Sequence, residues 1–244
     1  EREDYSFEAV DMGNLFHGVL EIFGDRLKEK GYTWFDFPKE VGEMLVEEAV
    51  EAFAASYGSA VLFDSARNRY LITRMKRILK RTVSTLQYQL KKGAFSPEHF
   101  EVSFSVLEDL EAVNIALTGE EKLRLKGRID RVDTWREPGQ NSPSGKDRIY
   151  VKVIDYKSGS RDFSLAALYY GLQLQLVVYL NAAVELEQKE HPKDEVVPAA
   201  MLYYRVHDPI VEVEEEPDED EEELVGREQK ELLGRLRMTG AVRA

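Results

Sequence analysis

The stretch "VKVIDYKSGS", residues 151–160, decides how the rest of the chain is read. Val151, Lys152, Val153 and Ile154 are the residues of a strand, and they run directly into Asp155, Tyr156 and Lys157. Successive strand side chains point to opposite faces, so Asp155 and Lys157 share one face while Tyr156 takes the other. An exposed carboxylate–ammonium pair contributes only about 0–1 kcal/mol, so the triplet alone reads first as a plain ion pair at a strand end.

Its neighbours change that reading. "REPGQNSPSGKD", residues 136–147, is rich in Pro, Gly and Ser and predicts an antiparallel hairpin between "KLRLKGRIDRVDTW" and "RIYVKVIDYK". In "GRIDRVD", residues 127–133, the period of two puts Arg128, Asp130 and Val132 on one face and Ile129 and Arg131 on the other. Asp130 then approaches Asp155 and Lys157 if the register brings them level. Two carboxylates held together repel, which makes sense around a divalent cation such as Mg²⁺. A metal there can activate water and polarise a phosphodiester, and Lys157 adds a positive charge facing the same phosphate. "GQNSPSGKD" is no phosphate-binding loop: five residues separate its glycines and Asp147 follows the Lys.

Outward from the hairpin, apolar stripes at helical spacing predict helices over residues 7–31, from a cap at Asp36 to Tyr57, and over 67–92. Residues 96–206 read as short strands, a helix over 164–189 and a last strand in "VPAAMLYYRV". An acidic loop over 207–223 and a helical segment over 224–244, its helix running from about Glu221 to Arg237, close the chain. The expected class is α/β (α+β), one domain with a central mixed sheet flanked by helices, residues 1–95 mainly helical and 96–206 the catalytic part.

The formal charge of −13 is uneven. Ten of the twelve residues in "EVEEEPDEDEEE", 212–223, are acidic, a run read as a solvated loop or as a tail regulating access. Residues 67–92 hold nine Lys or Arg and no acid, so a nucleic-acid partner stays possible. With no Cys, disulfides and thiolate metal sites are excluded, and the four His show no local zinc spacing. No segment reads as a membrane span or signal peptide, which points to a soluble intracellular protein. The start at Glu1 and the end after "RMTGAVRA" read as a piece cut from something longer.

"GRIDRVD", "VIDYKSG" and "GLQLQLVVYL" together, with "MGNLFHGVLEIF" upstream and "AAMLYYRVHDP" and "LRMTG" downstream, resemble the RecB-like branch of the PD-(D/E)xK nuclease superfamily. The resemblance covers nearly the whole chain and is closest to the C-terminal nuclease domain of AddAB-type helicase-nuclease B subunits. It implies a restriction-endonuclease-like fold and a Mg²⁺-dependent deoxyribonuclease, with Mn²⁺ able to substitute. The activity it implies is exonucleolytic cleavage of single-stranded DNA in double-strand break repair and homologous recombination. By the same resemblance Asp130, Asp155, Lys157, Gln175 and Tyr179 are catalytic. His17, Asp130, Asp155 and the backbone carbonyl of Tyr156 are metal ligands, for one ion or two. The helicase-nuclease A subunit would be the partner and the bacterial cytoplasm the compartment.

Arg128, Lys152 and Arg161 are candidate phosphate contacts, and Arg77 and Arg81 on the basic helix face either DNA or the partner. Glu101 in "HFEVSFS" stands where relatives often carry an acid and is read as structural. Members of this branch commonly bind an iron-sulfur cluster through four Cys, and this Cys-free chain is expected to hold none. The alternative from another class is a non-catalytic DNA-binding or scaffolding domain with the same fold. A pure protein-interaction module would explain the charge but leave the three motifs unexplained.

Overall fold

The computed structural model describes residues 9–56, 65–104, 114–116, 122–124, 127–141, 145–157, 163–207, 209 and 221–243. Helices α1 (Ala9–Glu29), α2 (Lys39–Ser56) and α3 (Ala66–Leu90) come first. Strand β1 (Ser96–Ser103), a small hairpin of β2 (Asn114–Ala116) and β3 (Lys122–Arg124), and strands β4 (Arg128–Glu137) and β5 (Arg148–Lys157) follow. After α4 (Leu165–Tyr169) and α5 (Gln175–Glu190), strand β6 (Glu195–Arg205), α6 (Glu221–Arg235) and β7 (Thr239–Val242) end the described chain.

The main sheet has the order β1-β4-β5-β6-β7. Only β5 and β6 run parallel, joined by a crossover through α4 and α5, so the sheet is mixed as expected. Alternation along β5 divides the core. Ile154 and Tyr156 pack under α1, α2 and α3, while Val151 and Val153 pack with Leu176, Tyr179, Ala182 and Ala183 of α5. The stripe of α1 (Leu15, Phe16, Val19, Leu20, Phe23 and Leu27) is fully buried, each side chain being worth roughly 1.5–3 kcal/mol in burial. That packing fixes where His17, on the same helix, meets the sheet.

Several expected elements are corrected. The helix expected over 164–189 is two, because Gly171 takes φ +74 and turns the chain between α4 and α5. Asp36 does not cap α2. Its Oδ1 accepts from the Thr33 amide at 2.7 Å, and Pro38 bars helical geometry at Phe37, so the helix starts at Lys39. At the other end α6 starts at Glu221 as expected, at the edge of the acidic run, but it stops at Arg235 and β7 follows in the segment 224–244 where only helix was expected. A Cβ on Gly240 of "LRMTG" would lie 2.1 Å from the Met201 carbonyl oxygen, so only glycine lets β7 approach β6 here. The acidic residues 212–220 lie outside the described residues.

Beneath α1–α3 lies a buried ion pair. Arg131 forks onto Asp133 at 2.5 and 2.6 Å and donates to Tyr156 OH at 3.3 Å, with Arg131 and Asp133 both fully buried. Burial opposes the Asp133 charge, but Arg131 and Lys152 hold its pKa below the ordinary value. The pair fixes the Tyr156 ring, which packs edge-to-face on the His17 ring with centroids 5.8 Å apart.

Candidate active site

Four elements converge on one point. His17 Nδ1 from α1 lies 3.0 Å from Glu101 Oε1 on β1 and 3.2 Å from Asp130 Oδ1 on β4. These are compact enough to hold one metal ion. The β1–β4 register pairs Phe100 with Arg131 and Val102 with Ile129, which puts Glu101 opposite Asp130. Like charges facing each other across strands are destabilising unless a cation sits between them.

Both strands depart from regular geometry here. Glu101 has φ +53, the sole non-glycine residue with positive φ among the described residues. Phe100 packs toward α1–α3 and Val102 toward α5, so the strand reverses faces at this residue. Such conformations cost roughly 1–3 kcal/mol and concentrate at functional sites. In β4 the alternation expected through "GRIDRVD" also fails, since Ile129 and Val132 join the same core cluster. The described ladder to β5 stops at Arg131↔Ile154, and Asp130 Oδ2 accepts the Tyr156 amide at 2.7 Å in place of a backbone carbonyl.

Asp155 and Lys157 do share a face, as the alternation required. Lys157 Nζ is 2.7 Å from Asp155 Oδ2 and donates to Gln175 Oε1 at 3.1 Å, and Gln175 Nε2 donates to Tyr179 OH at 2.7 Å. The Gln and Tyr, one turn apart on α5, thus form a relay that holds the lysine.

The electrostatics are those of a site short of positive charge. Burial disfavours the His17 imidazolium, yet its hydrogen bonds to Asp130 and Glu101 and their charges raise its pKa to about 9. Burial and then the charge of Asp130 push Asp155 up to about 6, against Lys157 and His17. Arg128 Nε lies 2.5 Å from Glu101 Oε2, but that oxygen and Asp155 Oδ2 remain buried without an aligned hydrogen bond. Buried carboxylate oxygens left in this state fit a hard divalent cation held by oxygen ligands.

The structure therefore brings together His17, Asp130, Asp155, Lys157, Gln175 and Tyr179. For Tyr156 it ties in the backbone amide. Arg128 borders the cluster through Glu101. Lys152 points away into the interior, 2.8 Å from Asp133, so the structure gives it a core partner rather than a phosphate-facing position. Arg77 and Arg81 line a groove of about 670 Å³ between α2, α3 and α6, sharing no residue with the cluster. Lys80 of the same helix pairs at 2.8 Å with Glu47 of α2, so part of the basic stripe is neutralised internally. Arg161 lies outside the described residues.

Glu101, read from the sequence as structural, is the member whose place in the cluster sequence reasoning missed. Its signals were a single acid within "HFEVSFS" and the acid that the resembled family often carries there, and neither gives it a role.

Comparison with known proteins agrees with this geometry. The chain is 44% identical over 224 residues to the B subunit of the ATP-dependent helicase/deoxyribonuclease of Lachnoclostridium phytofermentans, covering 90% of this chain and 17% of that protein. It is 38% identical over 242 residues to the subunit of the same name from Alkaliphilus metalliredigens, covering 99% and 20%. The Clostridioides difficile subunit is 35% identical over 241 residues, again 99% and 20%. The chain thus spans about a fifth of the length of the curated relatives it matches. The nuclease-superfamily profile matches residues 1–243, which includes every residue of the His17, Asp130, Asp155 and Lys157 cluster. With that match over almost its full length, the chain belongs to the PD-(D/E)XK nuclease superfamily.

Proposed function

We propose that this chain is the nuclease domain of a bacterial, cytoplasmic helicase-nuclease B subunit. In this reading it is a Mg²⁺-dependent exonuclease that hydrolyses phosphodiester bonds of single-stranded DNA delivered by a partner helicase-nuclease A subunit in double-strand break repair and recombination. The observation that carries the reading is Lys157, held by Asp155 and Gln175 beside the buried carboxylates of Asp155, Asp130 and Glu101, of which Asp155 Oδ2 and Glu101 Oε2 have an ion-pair partner but no aligned hydrogen bond.

His17, Glu101, Asp130 and Asp155, with the Tyr156 carbonyl, are the residues that would hold Mg²⁺, or Mn²⁺ in its place. Such an ion supplies Lewis-acid polarisation of the phosphate and a more acidic bound water. The remaining work belongs to the chain. Lys157 presents an ammonium to the charge that develops on the phosphate oxygens, and such a preorganised donor is commonly worth about 10²–10³-fold in rate. Gln175 and Tyr179 fix its direction, while the buried Tyr156 and Phe16 rings exclude water from the inner side of His17.

The segment leading into Gln175 supports a single-stranded substrate. Tyr169 and Tyr170 are 83% and 74% exposed, with Leu172 beside them, and aromatic faces in such positions stack on unpaired bases. The alternative, a scaffold that has kept the fold without the chemistry, is disfavoured by the intact Asp155, Lys157, Gln175 and Tyr179 relay.

The test is cleavage of an end-labelled single-stranded oligonucleotide with Mg²⁺ or Mn²⁺ by the chain and by Asp155→Ala and Lys157→Ala. Metal-dependent cutting lost in both variants supports the nuclease reading. A chain that binds the oligonucleotide but never cuts it supports the scaffold.

A further inference from the structure

A second histidine–carboxylate cluster lies on the other side of β1. His99 Nε2 stands 3.1 Å from Glu187 Oε1 and 3.8 Å from Glu190 Oε2, and the three ligand atoms lie within 4.8 Å of one another. Glu187 Oε2 lies 3.8 Å from His191 Nε2 on its other side. Glu187 is almost fully buried, whereas Glu190 and His191 face solvent.

The order of these residues follows from two simple devices. Glu187, Glu190 and His191 fall at i, i+3 and i+4 at the end of α5 and so share one helix face. A register shift between Pro97 and His99 in β1 aims His99 at that face. A helix C-terminus is the negative end of its dipole, where two further carboxylates are unfavourable without a cation. One imidazole nitrogen facing two carboxylates is also poorly served, because a single N–H cannot bond both well.

Two imidazoles and two carboxylates are a donor set for a borderline dication such as Zn²⁺. Around a tetrahedral Zn²⁺ with bonds of about 2.0–2.1 Å, neighbouring donor atoms sit about 3.3 Å apart. Among His99, Glu187 and Glu190 the separations of 3.1 and 3.8 Å bracket that value. His191, which approaches only the other oxygen of Glu187 at 3.8 Å, stands outside this three-residue cluster and supplies the fourth donor by turning its exposed ring toward the ion. We propose that His99, Glu187, Glu190 and His191 form a second metal site, of the Zn²⁺ class, that clamps the end of α5 to β1. With all four positions supplied by the chain, the site is closed and structural. It steadies the far end of the helix whose first residue, Gln175, holds Lys157.

Zn²⁺ uptake by the chelator-stripped 244-residue chain tests this, measured by equilibrium dialysis in a His17→Ala background that weakens the active-site cluster. The expected result is one Zn²⁺ equivalent that His17→Ala retains and that adding His99→Ala weakens by more than about 100-fold, beyond the 10–100-fold typical of groups that only orient ligands. Tetrahedral ligand-field bands with Co²⁺ should appear and disappear with the same substitution. If His99→Ala disturbs the fold by circular dichroism, Glu190→Gln, at an exposed position, serves instead and should weaken binding as well. Equal Zn²⁺ binding with and without these substitutions, or no Zn²⁺ binding by His17→Ala at micromolar free metal, would overturn the proposal.

Discussion

His17 with Glu101 and Asp130, and His99 with Glu187 and Glu190, are each one imidazole facing two carboxylates, and strand β1 contributes to both. Their construction differs. The first gathers α1, β1, β4 and β5, contains a residue at φ +53, and stands where the described β4–β5 ladder ends. The second is made of one helical turn and one bulged strand residue, with no positive-φ backbone. Beside the first sit Asp155 and a lysine held by the Gln175–Tyr179 relay, whereas the nearby partner of the second is another histidine. A ligand set by itself is therefore not a hydrolytic site. What separates the two is a preorganised cation next to the carboxylates, together with backbone strain that aims a ligand no regular strand would present.

The comparison is sharpest in catalysis. Lys157→Ala should lower single-strand cleavage by about 10²–10³-fold, and His99→Ala should leave kcat within a few-fold while lowering the melting temperature. Equal rate losses in the two variants would erase the distinction drawn here.

Next in size is the pH dependence of stability without divalent metal. Asp155 and His17 both have raised pKa values, so each favours the fold in its protonated form. Their stabilisation is complete below the ordinary values near 3.8 and 6.5 and is lost as pH rises through about 6 and about 9. For His17 alone the upper bound is roughly 3 kcal/mol, from about 1.4 kcal/mol per pKa unit. Denaturant unfolding in chelator should therefore weaken from pH 4 to about 9. Saturating Mg²⁺ should flatten the curve, and His17→Gln should remove much of the slope above pH 6.5. His99, raised by its hydrogen bond to Glu187 against burial, has the same sign, so some slope should survive that substitution. A His17→Gln curve that overlays the unmodified one would show that the charge balance described here is wrong.

A smaller effect isolates the strain. Asn tolerates the left-handed region and carries no charge, so Glu101→Asn should raise stability by about 1 kcal/mol while activity falls. Loss of stability together with activity would mean that the Arg128–Glu101 contact outweighs the backbone cost. The smallest concerns the relay: Tyr179→Phe removes one hydrogen bond to Gln175, worth about 1 kcal/mol, and should slow cleavage about fivefold.

How much of this was legible beforehand depends on the distance over which the information is written. The three N-terminal helices, the hairpin of β4 and β5, and the shared face of Asp155 and Lys157 follow from periods of 3.6 and 2, which neighbouring residues encode. The shared helix face of Gln175 and Tyr179 follows from the same spacing, whereas their place in the site was implied only by the family resemblance. The break at Gly171 was missed because a helical pattern continues on either side of it, and β7 because four residues carry little periodic signal.

The sequence by itself determined the order of elements, the polarised charge and the motifs that mark the superfamily, since these rest on local spacing and composition. Only the tertiary structure decided that Glu101 stands opposite Asp130, that Lys152 turns inward to Asp133, and that His99 meets Glu187 88 residues away. The physical reason is register: which distant residues become neighbours depends on how strands pair, and a bulge or one positive φ reverses a face without leaving a periodic trace in the sequence.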